Sequence, residues 1–182
     1  ESTYGHPMFR FPSPSKVRAQ MVKWAIETSL EGRIPVFSVY PVGKAQEVIA
    51  TINKLTDLRV YATNNVAEVS EACKDIANLT YEVLRGHPEE GSIVVSGMRP
   101  PKIEKSSIAV ATGWALLMRW GWASRAFPLS CHADFPGLIE VVASSGAETV
   151  FTISGYVNEL AEYLRRRIGV RSFPVPWDWT RI

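Results

Sequence analysis

The chain has 182 residues, 46% of them hydrophobic and 21% charged, with a net charge of +2. That balance suits one globular domain or two small lobes and excludes a disordered chain. No apolar run reaches the length of a membrane span, no signal-peptide pattern opens the sequence, and the charge is too small to prove a nucleic-acid partner.

In chain order, Ser13-Pro14 resembles a cap followed by a first-turn proline. Val17, Met21, Trp24, Ala25 and Leu30 then recur at helical spacing, and Gly32 ends the run. The apolar stretch Ile34 to Tyr40 reads as a buried strand. Gly43 opens a helix with Ala45, Val48, Ile49 and Ile52 on one face, and Leu58 to Ala62 is a second strand. Asn64 or Asn65 caps a long predicted helix carrying Val66, Val69, Cys73, Ile76, Ala77, Val83 and Leu84, which Gly86 stops. Strands follow at Ser92 to Ser96, Ile108 to Ala111 and Phe127 to Leu129, with a proline-containing loop over 97–105. The Trp-rich segment Trp114 to Arg125 reads either as a seam between two lobes or as a buried hinge.

The last third repeats the rhythm. Asp134 is a good N-cap for a helix through Leu138, Ile139, Val141 and Val142, and Gly146 is its left-handed stop. Thr149 to Ile153 is a strand. Val157, Leu160, Ala161, Leu164 and Ile168 form a helix face ended by Gly169. Arg171 to Val175 is the final strand, and Trp177 and Trp179 lie in the tail. Strands alternating with helices imply an α/β layer fold with a mostly parallel sheet.

Two cysteines, Cys73 and Cys131, are too few for a disulfide framework or a zinc finger and suit a reducing, cytoplasmic interior. The three histidines, His6, His87 and His132, form no HxH, HExxH or HxxxH pair. This chain alone can hardly supply the converging ligands of a two-metal hydrolase. Residue 1 is Glu rather than an initiator Met, so the sequence reads as a cut, processed or trimmed chain.

Seven stretches match one family in order: ESTYG at 1–5, FRFPSP at 9–14, GKAQE at 43–47, SGM at 96–98, ATGW at 111–114, SCHADF at 130–135 and TISGY at 152–156. Together they resemble the β-CASP branch of the metallo-β-lactamase-fold nucleases, closest to its ligase-associated exonuclease-like members, which are also described as mRNA 3′-end processing factors. The resemblance runs from Glu1 to about Val175. It implies the end of a lactamase-like lobe over 1–13, a parallel-sheet β-CASP lobe over 14–125, and the closing βαβαβ part of the lactamase-like lobe over 126–182. Family members carry an HxHxDH metal motif upstream of ESTYG, and nothing here corresponds to it. The chain is therefore expected to be the C-terminal part of a zinc-dependent nuclease acting on RNA or DNA, inactive by itself and binding no zinc alone. Its expected partners are nucleic acid, the missing N-terminal segment or a chain that supplies it, and a second copy as a homodimer. No membrane is expected among them. An apolar surface is expected to stay exposed where the missing half-lobe packs.

Phosphodiester hydrolysis needs a proton for the leaving oxygen, and histidine suits that task. A nearby carboxylate fixes such a ring and favours its charged form. The resemblance makes Glu1 and His132 the acidic residue and general acid, approaching each other and lining a cleft between lobes. Asp134 either caps the following helix only or also orients His132. Cys131 stands where close relatives have Asp and reads as a small buried residue. Ser154 stands at the usual metal-histidine place, where a hydroxyl is a poor zinc ligand. Gly43 and Lys44 open a helix that could receive phosphate, and Arg10, Lys102, Arg119 and Arg125 could extend a basic track. His6 and His87 read as loop residues, Arg165 to Arg167 as surface decoration. Two other readings stand beside the nuclease: a non-catalytic nucleic-acid-binding or scaffold module, and a nucleotide-binding α/β domain.

Overall fold

A computed structural model of the chain describes residues 1–175, so Trp177 and Trp179 lie outside the described residues. The chain divides into two compact units: Pro12–Cys131, and Glu1–Phe11 together with the residues from His132 on.

The larger unit holds α1 (Pro14–Leu30), β1 (Ile34–Ser38), α2 (Lys44–Leu55), β2 (Val60–Ala62), α3 (Asn64–Glu71), α4 (Lys74–Ala77), β3 (Glu82–Val83), β4 (Ile93–Ser96), β5 (Ser106–Ala111), a 3₁₀ turn (Gly113–Leu116) and β6 (Arg125–Phe127). Its strands form one sheet in the order β3-β2-β4-β1-β5-β6, and every pairing is parallel. This is the expected α/β fold. β1 is buried at all its residues, which is why its sequence is a continuous apolar run rather than an alternation.

The two faces of the sheet are covered differently. Phe37, Val60, Ala62, Ile93, Val95, Ala109, Ala111 and Phe127 pack with Val17, Met21 and Ala25 of α1, Val48, Ile49 and Ile52 of α2 and Val66 of α3. Ile34, Val36, Tyr61 and Val94 form a second cluster, against which Leu84, Ile103 and Ile108 pack. Connections between parallel strands are as a rule right-handed, so steps in one direction put their helices on one face. The steps from β1 to β2 and from β2 to β3 run in one direction and place their helices on one face. The step from β4 to β5 runs back past β1 with only a loop. The Trp-rich segment 114–124 is the connection from β5 to β6, inside this unit.

One predicted element is corrected. The long helix after Asn64 stops at Glu71, resumes for a single turn, and ends at Asn78, which is left-handed at φ 49°. Ile76, expected on its apolar face, is 89% exposed. Glu82 and Val83 instead pair with Tyr61 and Ala62 as β3, and the amide of Leu84 extends the ladder to the carbonyl of Ala62. Buried Leu79 and the Tyr81 hydroxyl, which donates to the Ala67 carbonyl and the Glu71 carboxylate, hold the redirected chain. Partial burial and then the neighbouring Glu71 push that hydroxyl up to about 12.

The smaller unit holds α5 (Phe135–Ser145), β7 (Thr149–Thr152), α6 (Val157–Tyr163), a π-helical turn (Leu164–Ile168) and β8 (Arg171–Pro174). Strands β7 and β8 pair in parallel, Thr149 opposite Arg171 through Thr152 opposite Pro174. Asp134 caps α5 by accepting from the Gly137 amide at 3.0 Å, and Gly146 ends it at φ 67°, both as the sequence implies. Phe135, Leu160 and Leu164 centre a small core. Phe151 and Phe173 pair on the opposite face of the two strands and are exposed, as are Val141 and Ile153. Among the described residues no helix is long and apolar enough to cross a membrane.

Candidate active site

Three of the motif segments converge within the smaller unit. Residues 1–5 lie against the turn after β7 through an isolated parallel bridge between Ser2 and Gly155. The Ser2 amide donates to the Ile153 carbonyl at 2.8 Å, and its buried hydroxyl reaches the carbonyls of Ile153 and Ser154. Ser154 and Gly155 are both left-handed, at φ 58° and 69°. Gly155 has to be glycine there: a Cβ would lie 2.5 Å from the Ser2 carbonyl oxygen and from the Thr3 Cα. The SCHADF segment is tied in by Asp134, whose second oxygen accepts from the Phe11 amide at 2.9 Å, and by the Phe135 amide donating to the Phe9 carbonyl.

These ties bring Glu1 and His132 together across 131 positions, with Nδ1 of the ring 2.9 Å from Glu1 Oε1. The other carboxylate oxygen accepts from the Thr3 amide at 2.9 Å and from the Thr3 hydroxyl. Partial burial pushes the Glu1 carboxyl up, but the Thr3 hydroxyl and amide and the His132 ring outweigh it and hold the group below its ordinary value. Glu1 is therefore a carboxylate at neutral pH, and Nδ1 carries the proton it accepts. Both side chains remain accessible, at 52% for His132 and 35% for Glu1. The ring of Tyr4, only 3% exposed, stands edge-on to the imidazole at 5.9 Å and packs against Phe9 and Phe11. Sequence reasoning named neither Thr3 nor Tyr4 as support, although both lie in the quoted ESTYG. Asp134 holds the backbone on either side of the pair, through the amides of Phe11 and Gly137.

Ser154 is exposed, and its carbonyl, like that of Ile153, accepts from the Ser2 hydroxyl. A dinuclear zinc centre needs several imidazole and carboxylate donors at one point. Among the described residues no three His, Cys, Asp or Glu side chains are so grouped. His6 is half-buried beside the Tyr156 ring, and His87 is exposed.

In the larger unit, GKAQE makes a tight turn into α2. Gly43 sits at φ 76°, and the amides of Lys44 and Ala45 donate to the carbonyls of Val42 and Tyr40. Gln46, which sequence reasoning passed over, accepts from the Gly43 amide at 2.7 Å and donates to the Pro41 carbonyl and the Ser70 hydroxyl. The first donors of this helix are thus spent on its own turn. Lys44 is buried, with its ammonium 2.9 Å from Glu47, which also holds Arg18 at 2.8 Å. Burial pushes the Glu47 carboxyl up, and the two cations bring it below its usual range. Cys131, expected to be buried, is exposed, and Lys44 Nζ lies 3.3 Å from its sulfur. Arg10 is exposed in the smaller unit; Lys102, Arg119 and Arg125 are exposed in the larger one.

The molecule is thus an α/β protein with an all-parallel six-stranded sheet and a separate carboxylate–imidazole pair. No family model matches the chain. A probable DNA ligase of Opitutus terrae is 29% identical over 204 aligned positions, which take in 98% of this chain. The match covers 18% of the ligase, so the chain spans less than a fifth of that relative's length.

Proposed function

We propose that this chain is part of a nucleic-acid-processing hydrolase of the β-CASP branch of metallo-β-lactamase-fold nucleases, supplying the proton donor for phosphodiester cleavage. The observation that carries the reading is the pairing of Glu1 with His132 at 2.9 Å from segments 131 positions apart. The order of the seven motif stretches supports it, as does the similarity to a protein named as a probable DNA ligase. Glu1, itself held by Thr3, fixes the ring through Nδ1. The proton for the leaving oxygen then comes from Nε2, the nitrogen on the far side of the ring. Asp134 acts as a positioning residue by fixing both flanking backbones. Arg10 and Lys102 are the exposed cations offered to the nucleic-acid backbone. Gly43 and Lys44 contribute less to binding, because their donors are engaged within the turn and its ion pairs. The metal ligands of the reaction belong to a lactamase-like segment other than this one.

Cleavage of labelled RNA and DNA oligonucleotides in the presence of zinc tests the proposal. The chain alone should leave them intact, and supplying the lactamase-like segment, in the same polypeptide or as a second chain, should restore cutting. His132→Gln should then lower the rate by roughly 10²–10⁴-fold. An unchanged rate in that variant removes His132 from the mechanism. Efficient zinc-dependent cutting by this chain alone refutes the division of labour. Ser154 favours one second reading, a non-catalytic nucleic-acid-binding or scaffold module, which tight oligonucleotide binding without cutting in the completed assembly would support.

A further inference from the structure

The Lys44–Glu47–Cys131 cluster has no part in the proposed proton transfer. Three features set it apart from an ordinary surface ion pair. The Lys44 side chain is only 7% exposed, so its amine has little freedom to swing away. Its Nζ is already 3.3 Å from Cys131 Sγ, and Glu47 Oε2 touches both, at 2.9 Å from the nitrogen and 3.9 Å from the sulfur. The sulfur itself is exposed and open to a small oxidant. An amine, a thiol and a proton acceptor are therefore assembled within the larger unit, the thiol on the wet side.

We propose that Lys44 and Cys131 form a reversible covalent link when the protein meets hydrogen peroxide. Cys131 as thiolate attacks the peroxide, a sulfur–oxygen bond forms, the oxygen–oxygen bond breaks, and the departing hydroxide takes up the proton the thiol had shed and leaves as water, giving a sulfenic acid. The Lys44 ammonium passes a proton to Glu47, and the freed amine attacks the oxidised sulfur. A nitrogen–sulfur bond forms as the sulfur–oxygen bond breaks, the departing hydroxide takes the proton back from Glu47 as water, and the linked nitrogen sheds its extra proton to solvent. In sum, a thiol, an ammonium and one peroxide give a sulfenamide, two waters and a proton. Sulfur loses two electrons and peroxide gains them. A thiol such as dithiothreitol attacks the same sulfur and regenerates both side chains.

The test is peptide mapping of the intact chain before and after peroxide, without reductant. Trypsin should fail to cut at Lys44, leaving 34–54 joined to 126–165. The joined species should weigh about 2 Da less than the sum of the two, and dithiothreitol should separate it. A joined species about 14 Da above that sum, in which a second peroxide has added oxygen to the link and left as water, also supports it. Lys44→Arg and Cys131→Ser should each abolish it, and Glu47→Gln should slow it. The measurement on the unaltered chain decides the matter even if a variant folds poorly. Recovery of Cys131 only as thiol, as sulfinic or sulfonic acid, or in a disulfide with Cys73, with Lys44 still cut by trypsin, overturns the proposal. Neither Glu1 nor His132 takes part, so failure here leaves the hydrolase reading untouched.

Discussion

The two units are stabilised by opposite means. In the larger one, six parallel strands and three helices bury a continuous apolar cluster, and Phe37 sits within it, fully buried between Trp24 and Phe127. In the smaller one, two strands and a few apolar side chains form a modest core. Residues 1–11 are joined to it by hydrogen bonds that link Ser2, Asp134 and Phe135 to backbone groups far away in sequence, together with buried Phe9 against the Tyr156 ring. The comparison teaches where a reactive pair can sit. Glu1 and His132 stay accessible because polar ties, which need not exclude water, hold their segments together.

The contrast predicts different responses to mutation. Phe37→Ala removes a fully buried ring and should cost about 3–5 kcal/mol. Denaturant unfolding followed by hydrogen exchange should show that loss in the amides of β1, β4 and β5. A loss below about 1 kcal/mol would mean that this cluster does not carry the unit's stability. Gly155→Ala should have the next largest effect, more than about 1 kcal/mol, because the new Cβ meets the backbone of Ser2 and Thr3 at a left-handed position. Its signature is local: amides of residues 2–5 and 153–156 lose protection while the six-stranded sheet keeps its own. Uniform loss across both units would break the comparison.

What the sequence made readable followed the same division. The apolar run of β1, the Asp134 cap and the Gly146 stop are local signals, and each element lies where its signal is. β3 could not be read this way. Glu82 and Val83 are exposed and carry no strand pattern of their own; pairing with Tyr61 and Ala62 makes them a strand. The apolar periodicity that suggested one long helix continued across Asn78, which takes a left-handed turn that asparagine tolerates and is followed by buried Leu79 and the anchored Tyr81. At the candidate site, motif resemblance could pair Glu1 with His132 because both residue types are chemically distinctive. It could not reveal that Thr3 holds the carboxylate, that the Gln46 side chain takes the Gly43 amide, or that Cys131 is exposed beside Lys44, since each depends on side-chain direction.

The smallest expected effect probes the polar side of the contrast. Thr3 and His132 hold the Glu1 carboxyl below its ordinary 4.5 against the opposing effect of burial. The unfolded chain then takes up this proton at a higher pH than the folded chain does. Stability from the group is complete above about 4.5 and drains away as the pH falls through the lower folded value. The Glu1 side chain is 35% exposed, so solvent screening keeps the contribution small. Chemical denaturation repeated between about pH 6 and pH 3 should show the smaller unit losing stability towards acid. Glu1→Gln should flatten that limb, because the amide neither titrates nor draws a proton-bearing Nδ1. His132→Gln should flatten it only in part, since Thr3 still favours the carboxylate. If both variants keep the parent's acid limb, the contact between Glu1 and His132 does not persist in solution, and the proton-donor reading loses its geometric basis.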